Sequence, residues 1–244
     1  MTALPEGGDR YLGIDLGTSA IKLAVIDSAG RTLGQGQAGF PSFTDQPGQV
    51  EQVVADWWAA LGRAATAARA SCGAEWALIR AIGLAGQLPT LVCLGVEGAW
   101  PQAIVWADSR ADHWAETRID AATRAMLYQR TGMPIDGRYL APMLRFHHGQ
   151  STQQPTGILS AKDWLCWALT GERVTDPSTA AGYGVFDLVS GTWADDLCAF
   201  WNLNPALLPP VRAANAIAGR LTTKAAALFG LSTDVAVLVG AADS

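Results

Sequence analysis

None of the four cysteines (Cys72, Cys93, Cys166, Cys198) lies in a CxxC pair. A zinc ribbon or a dithiol redox motif has nothing to build on, and the scattered thiols read as reduced core residues of a cytoplasmic protein. No apolar run reaches the roughly 18 residues that a membrane span needs. Charge is sparse: 16% of residues are charged, and the net charge is −5. Without clustered Lys and Arg, neither a nucleic-acid surface nor an anionic-membrane surface is expected. The segment MTALPEGGDR has no apolar core, so residues 1–10 are expected to be a flexible tail rather than a targeting peptide. There is no internal repeat and no low-complexity block. The acidic balance still allows a nucleotide site, which needs only a few local donors.

What is present is apolar material. Half of the 244 residues are hydrophobic, enough for a sizeable core in one large domain or two small ones. The stretch Tyr11 to Asp27, YLGIDLGTSAIKLAVID, sets two apolar runs on either side of a small-residue break, the pattern of a β-hairpin. Its turn holds Asp15, Gly17, Thr18 and Ser19, with Lys22 just beyond. Successive N–H groups of such a turn form a concavity that suits a phosphate, and a carboxylate beside it can hold Mg²⁺ through water. The same residues also make an ordinary hairpin.

Residues 31–39 follow as a third strand, giving an antiparallel meander. Helical spacing of apolar residues runs from Val50 to Ala70. Ile79–Gly86 and Leu88–Leu94 read as strands, and Pro101–Val105 leads to Trp106, Asp108 and Arg110. Ser109 is placed to cap a helix reaching about Ala122. Residues 131–142 read as a loop, Ser160–Thr170 as a helix stopped by Gly171, and 176–184 as a polar loop. Helices are expected over 192–202 and 221–229. Val235–Val239 reads as a buried strand running directly into Gly240, Ala241, Ala242, Asp243 and Ser244. The pattern predicts an α/β fold: a mixed sheet, with the antiparallel meander followed by parallel strands, helices on both faces and no clean internal boundary. At the end of the last strand, Asp243 either emerges where ligands gather in open α/β sheets or caps a following helix.

The hairpin resembles the first phosphate-binding element of the actin, hexokinase and heat-shock-chaperone ATPase superfamily. Further segments occur in the order seen in the FGGY family of carbohydrate kinases: VEQVVADWW, AIGLAGQLPTLVCL, AIVWADSRAD, LSAKDWLCWALTGERVTDPSTAAGYGVFDLVSGTW and VLVGAADS. They are most similar to xylulokinase-like members, and the resemblance covers residues 11–244. It implies a ribonuclease-H-like N-terminal domain that binds sugar and supplies the catalytic base. ATP would lie in a cleft shared with a C-terminal domain that this chain does not include, and the chain alone would be inactive. The implied partners are thus a small sugar or polyol and that C-terminal domain, with a homodimer also entertained. The implied activity is ATP- and Mg²⁺-dependent phosphorylation of a ketopentose such as xylulose or a relative. A non-catalytic sugar-binding or regulatory member is the alternative.

Residue by residue, the resemblance makes Asp243 the general base. Asp15 would orient the waters of Mg²⁺, and Gly17, Thr18 and Ser19 would line the γ-phosphate. Gln87, Leu88, Pro89, Trp106, Asp108, Arg110 and Ser244 would form the sugar site. Trp106 either stacks on sugar or packs in the core; Asp108 and Arg110 bind hydroxyls or each other. Pro89 stands where xylulokinases usually carry a histidine, which removes a donor and stiffens the backbone. Met143 stands where the family has a lysine, and Phe146 where it usually has a tryptophan. His147 and His148 read as a solvated helix end rather than a metal pair. Lys162, Asp163 and Asp176 are expected to serve a helix start and a turn.

Overall fold

The computed structural model of the chain describes residues 8–149 and 152–243. Most of the expected tail, residues 1–7, and the site residue Ser244 lie outside the described residues, and Arg10 already opens the first strand. β1 (Arg10–Leu16), β2 (Ala20–Asp27) and β3 (Thr32–Gly39) form the expected antiparallel meander. Strand alternation turns Leu12, Ile14, Leu16, Ile21, Leu23 and Val25 into the core and leaves Gly13, Asp15 and Lys22 on the other face.

The helix expected from Val50 begins later. β4 (Glu51–Val53) precedes α1 (Val54–Cys72), because Glu51, Gln52 and Val53 are drawn into a ladder with a strand far along the chain. The glycines of β3 let α1 lie almost on the sheet. A Cβ at Gly36 would stand 2.1 Å from the Ala64 carbonyl oxygen, and one at Gly34 would stand 2.6 Å from Cys72 Cβ. Small residues thus face small residues, and Trp57, fully buried, fills the space beyond them.

β5 (Ile79–Gly86) pairs in parallel with β1, as expected for the later strands. β6 (Thr90–Gly95) and β7 (Gly98–Val105) then form a hairpin. The helix expected from Ser109 to about Ala122 is shorter, α2 (Asp112–Glu116), and α3 (Ala121–Thr131) follows as a helix that was not anticipated. The cap belongs to Asp120, whose carboxylate accepts the Thr123 N–H at 2.7 Å and restarts the helix. α4 (Leu140–His148) occupies part of the expected loop and tolerates Pro142 because it lies in the first turn. β8 (Gly157–Leu159) leads into α5 (Ala161–Thr170), which Gly171 ends with φ +81°, as expected. The expected polar loop holds α6 (Pro177–Ala181), started by Asp176. β9 (Phe186–Asp187) and β10 (Thr192–Trp193) make a small hairpin, so α7 (Asp195–Phe200) is shorter than the helix expected there. β11 (Ile217–Arg220), α8 (Thr223–Phe229), β12 (Ala236–Leu238) and β13 (Ala241–Ala242) close the chain.

The main sheet has the order β11-β12-β5-β1-β2-β3, with β13 also on β5. It mixes parallel and antiparallel pairs, and the whole is an α/β fold. A second, antiparallel sheet, β4-β7-β6-β8, was not anticipated. Helices were expected on both faces of the main sheet. Its apolar face carries α1, α5 and α8 around the first core, while Gly13, Asp15, Lys22, Gly83 and Ala85 floor an open cavity of about 1060 Å³. A second core, with Leu91, Ile104, Met143, Tyr183 and Trp201, lies on the second sheet. All four cysteines are buried and free, as expected of core thiols.

Candidate active site

The hairpin turn is a braced structure. Gly17 N–H donates to the Ala20 carbonyl at 3.1 Å, and the Thr18 carbonyl accepts from Gln52 Nε2 at 2.7 Å. Thr18 and Ser19 remain exposed, with their hydroxyls at the tip. Asp15, the penultimate residue of β1, lies on the open face. Among the described residues its Oδ1 is buried without a hydrogen-bond partner, while Lys22 Nζ lies 3.7 Å from Oδ2.

Asp243 arrives at the same place by a broken route. The strand expected over Val235–Val239 is β12, which stops at Leu238, because Gly240 takes φ +78° and crosses over Leu84, where any Cβ would stand 2.2 Å from the carbonyl oxygen. The chain then re-enters as β13. Ala85 of β5 is paired with Asp15 on one side and with Ala241 on the other, so two carboxylates flank the C-terminal end of β5. Asp243 is exposed, its N–H donating to the Gly86 carbonyl at 3.3 Å. Partial burial, then the Asp15 carboxylate, push its pKa above the ordinary value.

The segment expected to read sugar is divided. Gln87 is buried and donates to Gln52 Oε1 at 3.0 Å; Gln52 Oε1 also accepts the Trp57 indole N–H at 3.0 Å. Leu88 and Pro89 stay half-exposed, and Leu88 packs against Gly182. Trp106 is 40% exposed and donates its indole N–H to Thr18 Oγ1 at 3.1 Å. Asp108 and Arg110 bind each other at 2.7 Å, and Arg110 also meets Glu51 at 2.5 Å. Asp108 is buried and accepts the Val50 N–H at 2.9 Å, so this cluster also pins the start of β4.

His147 and His148 do end α4, but not in solvent as expected: the fold packs His147 inward, largely buried, with Nε2 3.8 Å from Asp108 Oδ1. Burial, then the Arg110 charge, lower its pKa to about 4. Among the described residues, no group of three His, Cys, Asp or Glu side chains could hold a metal ion, and no helix is long and apolar enough to cross a membrane.

Sequence reasoning missed Glu51 and Gln52, which lay inside an expected helix, and Ser178. The D-x-S spacing of Asp176 and Ser178 is the signal of a side chain capping a short helix, and it was available. Lys162, Asp163 and Asp176 do sit at a helix start and a turn, but they also form one buried cluster.

Residues 10–244 match the sequence model of the FGGY family of carbohydrate kinases, N-terminal domain. The chain belongs to this family. It is 32% identical over 219 residues to a glycerol kinase of Bordetella parapertussis, covering 85% of this chain and 43% of that one. Among solved structures it is similar to a Brucella ovis xylulose kinase at 30% identity and TM-score 0.87, covering 96% of this chain and 49% of the other. It is also similar to the xylulose kinase of Rhodospirillum rubrum at 25% identity and TM-score 0.89, with coverage of 96% and 49%. This FGGY chain therefore spans about half the length of the relatives it matches. The fold is the ribonuclease-H-like one of sugar-kinase N-terminal domains.

Proposed function

We propose that this FGGY chain carries the acceptor site and catalytic base of an ATP-dependent kinase acting on a hydroxyl of a neutral sugar or polyol, with a ketopentose such as xylulose or a relative as first choice. The observation that carries the reading is the convergence of Asp15, its hairpin turn and Asp243 around the C-terminal end of β5. Phosphoryl transfer needs an oriented hydroxyl, a base and neutralised phosphate charge. Asp243 accepts the acceptor hydroxyl's proton as that oxygen bonds to the γ-phosphorus. The bond to the β-phosphate oxygen breaks, and ADP leaves. Thr18 and Ser19 face the transferring group with backbone N–H groups and hydroxyls, and Gly17, whose N–H closes the turn on Ala20, keeps the approach free of a side chain. Trp106 offers a ring to the carbon skeleton, and Leu88 and Pro89 form a wall beside it. Arg110, engaged by Glu51 and Asp108, is no spare cation for an acidic substrate, which favours a neutral one.

The donors fit a divalent cation. Among the described residues Asp15 Oδ1 is buried and without a partner beside an open turn, and oxygen ligands of this kind suit Mg²⁺. Asp15 would hold it through water, and Mg²⁺ would supply neutralisation of phosphate charge. Adenosine would be held by a second domain, consistent with relatives about twice as long.

The test is a panel of pentuloses, hexuloses and polyols with ADP detection, run on the full polypeptide that carries this chain. Sugar-dependent ADP release is expected, and Asp243→Ala should lower it about 10²- to 10⁴-fold with the fold intact. Unchanged turnover in that variant would refute the mechanism. Sugar binding by calorimetry with no ADP release would favour a binding protein, a role for which Pro89 and the core position of Met143 leave room.

A further inference from the structure

We propose that Ser178, backed by the buried pair Asp176 and Lys162, is a positioning residue for Asp243: it clamps the strand segment from which that carboxylate emerges. The inference rests on the reading of Asp243 as the base.

Lys162 is fully buried. Its Nζ lies 2.8 Å from Asp163 Oδ1 and 3.0 Å from Asp176 Oδ1, and donates to the Val239 carbonyl at 3.1 Å. Burial opposes the charge on Lys162, but the two carboxylates outweigh it and hold the ammonium's pKa above the ordinary lysine value. Asp176 Oδ2 accepts from the Ser178 N–H at 2.9 Å and from its hydroxyl at 2.5 Å. Because the Ser178 proton points to Asp176, its lone pairs are left for the Ala242 N–H, which donates to Oγ at 3.0 Å. Asp163 is held in turn by the Tyr183 hydroxyl at 2.7 Å. The network thus runs unbroken from Tyr183 to the residue before Asp243.

Two of its contacts, a branch from Lys162 and the Ser178 end, land on either side of Gly240, where the strand is broken. Lys162 takes Val239 before the break, and Ser178 takes Ala242 after it. The segment needs such help. β13 has only two residues, and the Asp243 N–H bond is long at 3.3 Å. A cluster serving only to start α5 and α6 would have no reason to reach both flanks of that glycine. A base must be held within a fraction of an ångström of its productive place, so a loosened clamp should slow the chemical step more than it weakens binding.

Lys162→Met would strand two buried carboxylates and is expected to lose the fold, so it decides nothing about rate. Ser178 is exposed, and its substitution leaves both cores intact. Ser178→Ala, Ser178→Thr and Asp243→Ala in the full polypeptide are the deciding set, assayed by ADP release and by amide hydrogen exchange. Ser178→Ala is expected to lower kcat about 10- to 100-fold with little change in either KM, and to speed exchange at Ala242 but not at Leu84. Ser178→Thr, which keeps the hydroxyl, should restore most of the rate. Wild-type kcat in Ser178→Ala beside an inactive Asp243→Ala would overturn the clamp alone. Equal losses in the Ala and Thr variants would overturn it too. An active Asp243→Ala would overturn the base reading, and this inference with it.

Discussion

The indole N–H of Trp106 reaches Thr18 Oγ1 at 3.1 Å across 88 residues of sequence. The bond ties the residue proposed to face sugar to the turn proposed to face phosphate. Trp106→Phe keeps an aromatic face and loses the bond, a change of about 1 kcal/mol. Trp106→Ala loses both. Sugar affinity by calorimetry should therefore fall about fivefold in the first variant and clearly further in the second, with KM for ATP also rising in both. Equal affinities in the two variants would show that the ring contributes no contact.

Close approach of β3 and α1 makes Gly36 a sharp test of the fold. With the Ala64 carbonyl 2.1 Å from any added Cβ, Gly36→Val must push the helix off the sheet. A loss of about 3 kcal/mol or more is expected, read as a fall in the thermal midpoint or as insoluble expression. Gly83→Ala is the control. Among the described residues nothing lies within 4 Å of its added Cβ, so its melting curve should stay close to wild type.

His147 predicts an acid limb. Its pKa is lowered from 6.5 to about 4 by burial first and Arg110 second. The unfolded chain takes up the proton near the ordinary value, whereas the fold resists it. The stabilisation from neutral His147 is therefore complete above about pH 6.5 and lost as pH falls toward 4, on the order of 3 kcal/mol at most. Denaturant midpoints of His147→Gln should fall less steeply over that window than those of the wild type. An imidazole titrating near 6.5 in the native protein would contradict the placement.

Thiol chemistry gives a fourth prediction. Burial pushes the Cys93 thiol up to about 12 and the Cys166 and Cys198 thiols up to about 11. Ellman's reagent at neutral pH should find no rapidly reacting thiol in the folded protein and all four after unfolding, since only thiolates react. Fast labelling of the native state would contradict the core assignment.

Much of this was legible in the chain itself. Alternation in YLGIDLGTSAIKLAVID determined which side chains of β1 and β2 enter the core and that Asp15 does not. Gly171 and Gly230, both with positive φ, ended their helices where local reading placed them. Order among the FGGY-like segments placed the chain in its family, because each is a short run whose residue types are set by local geometry. Tertiary structure alone decided the rest. Residues 51–53 became a strand because β7, some fifty residues away, offered backbone partners that no local pattern reveals. Gln87, read as a sugar contact, spends its Nε2 on Gln52, since side-chain hydrogen bonds form between whatever groups the fold brings together, while its Oε1 has no partner among the described residues. Only in three dimensions does Ser178, 64 residues from Ala242, come to hold its backbone one residue short of Asp243. Local periodicity encodes faces and turns; the meeting of distant polar groups depends on the packing of every element between them.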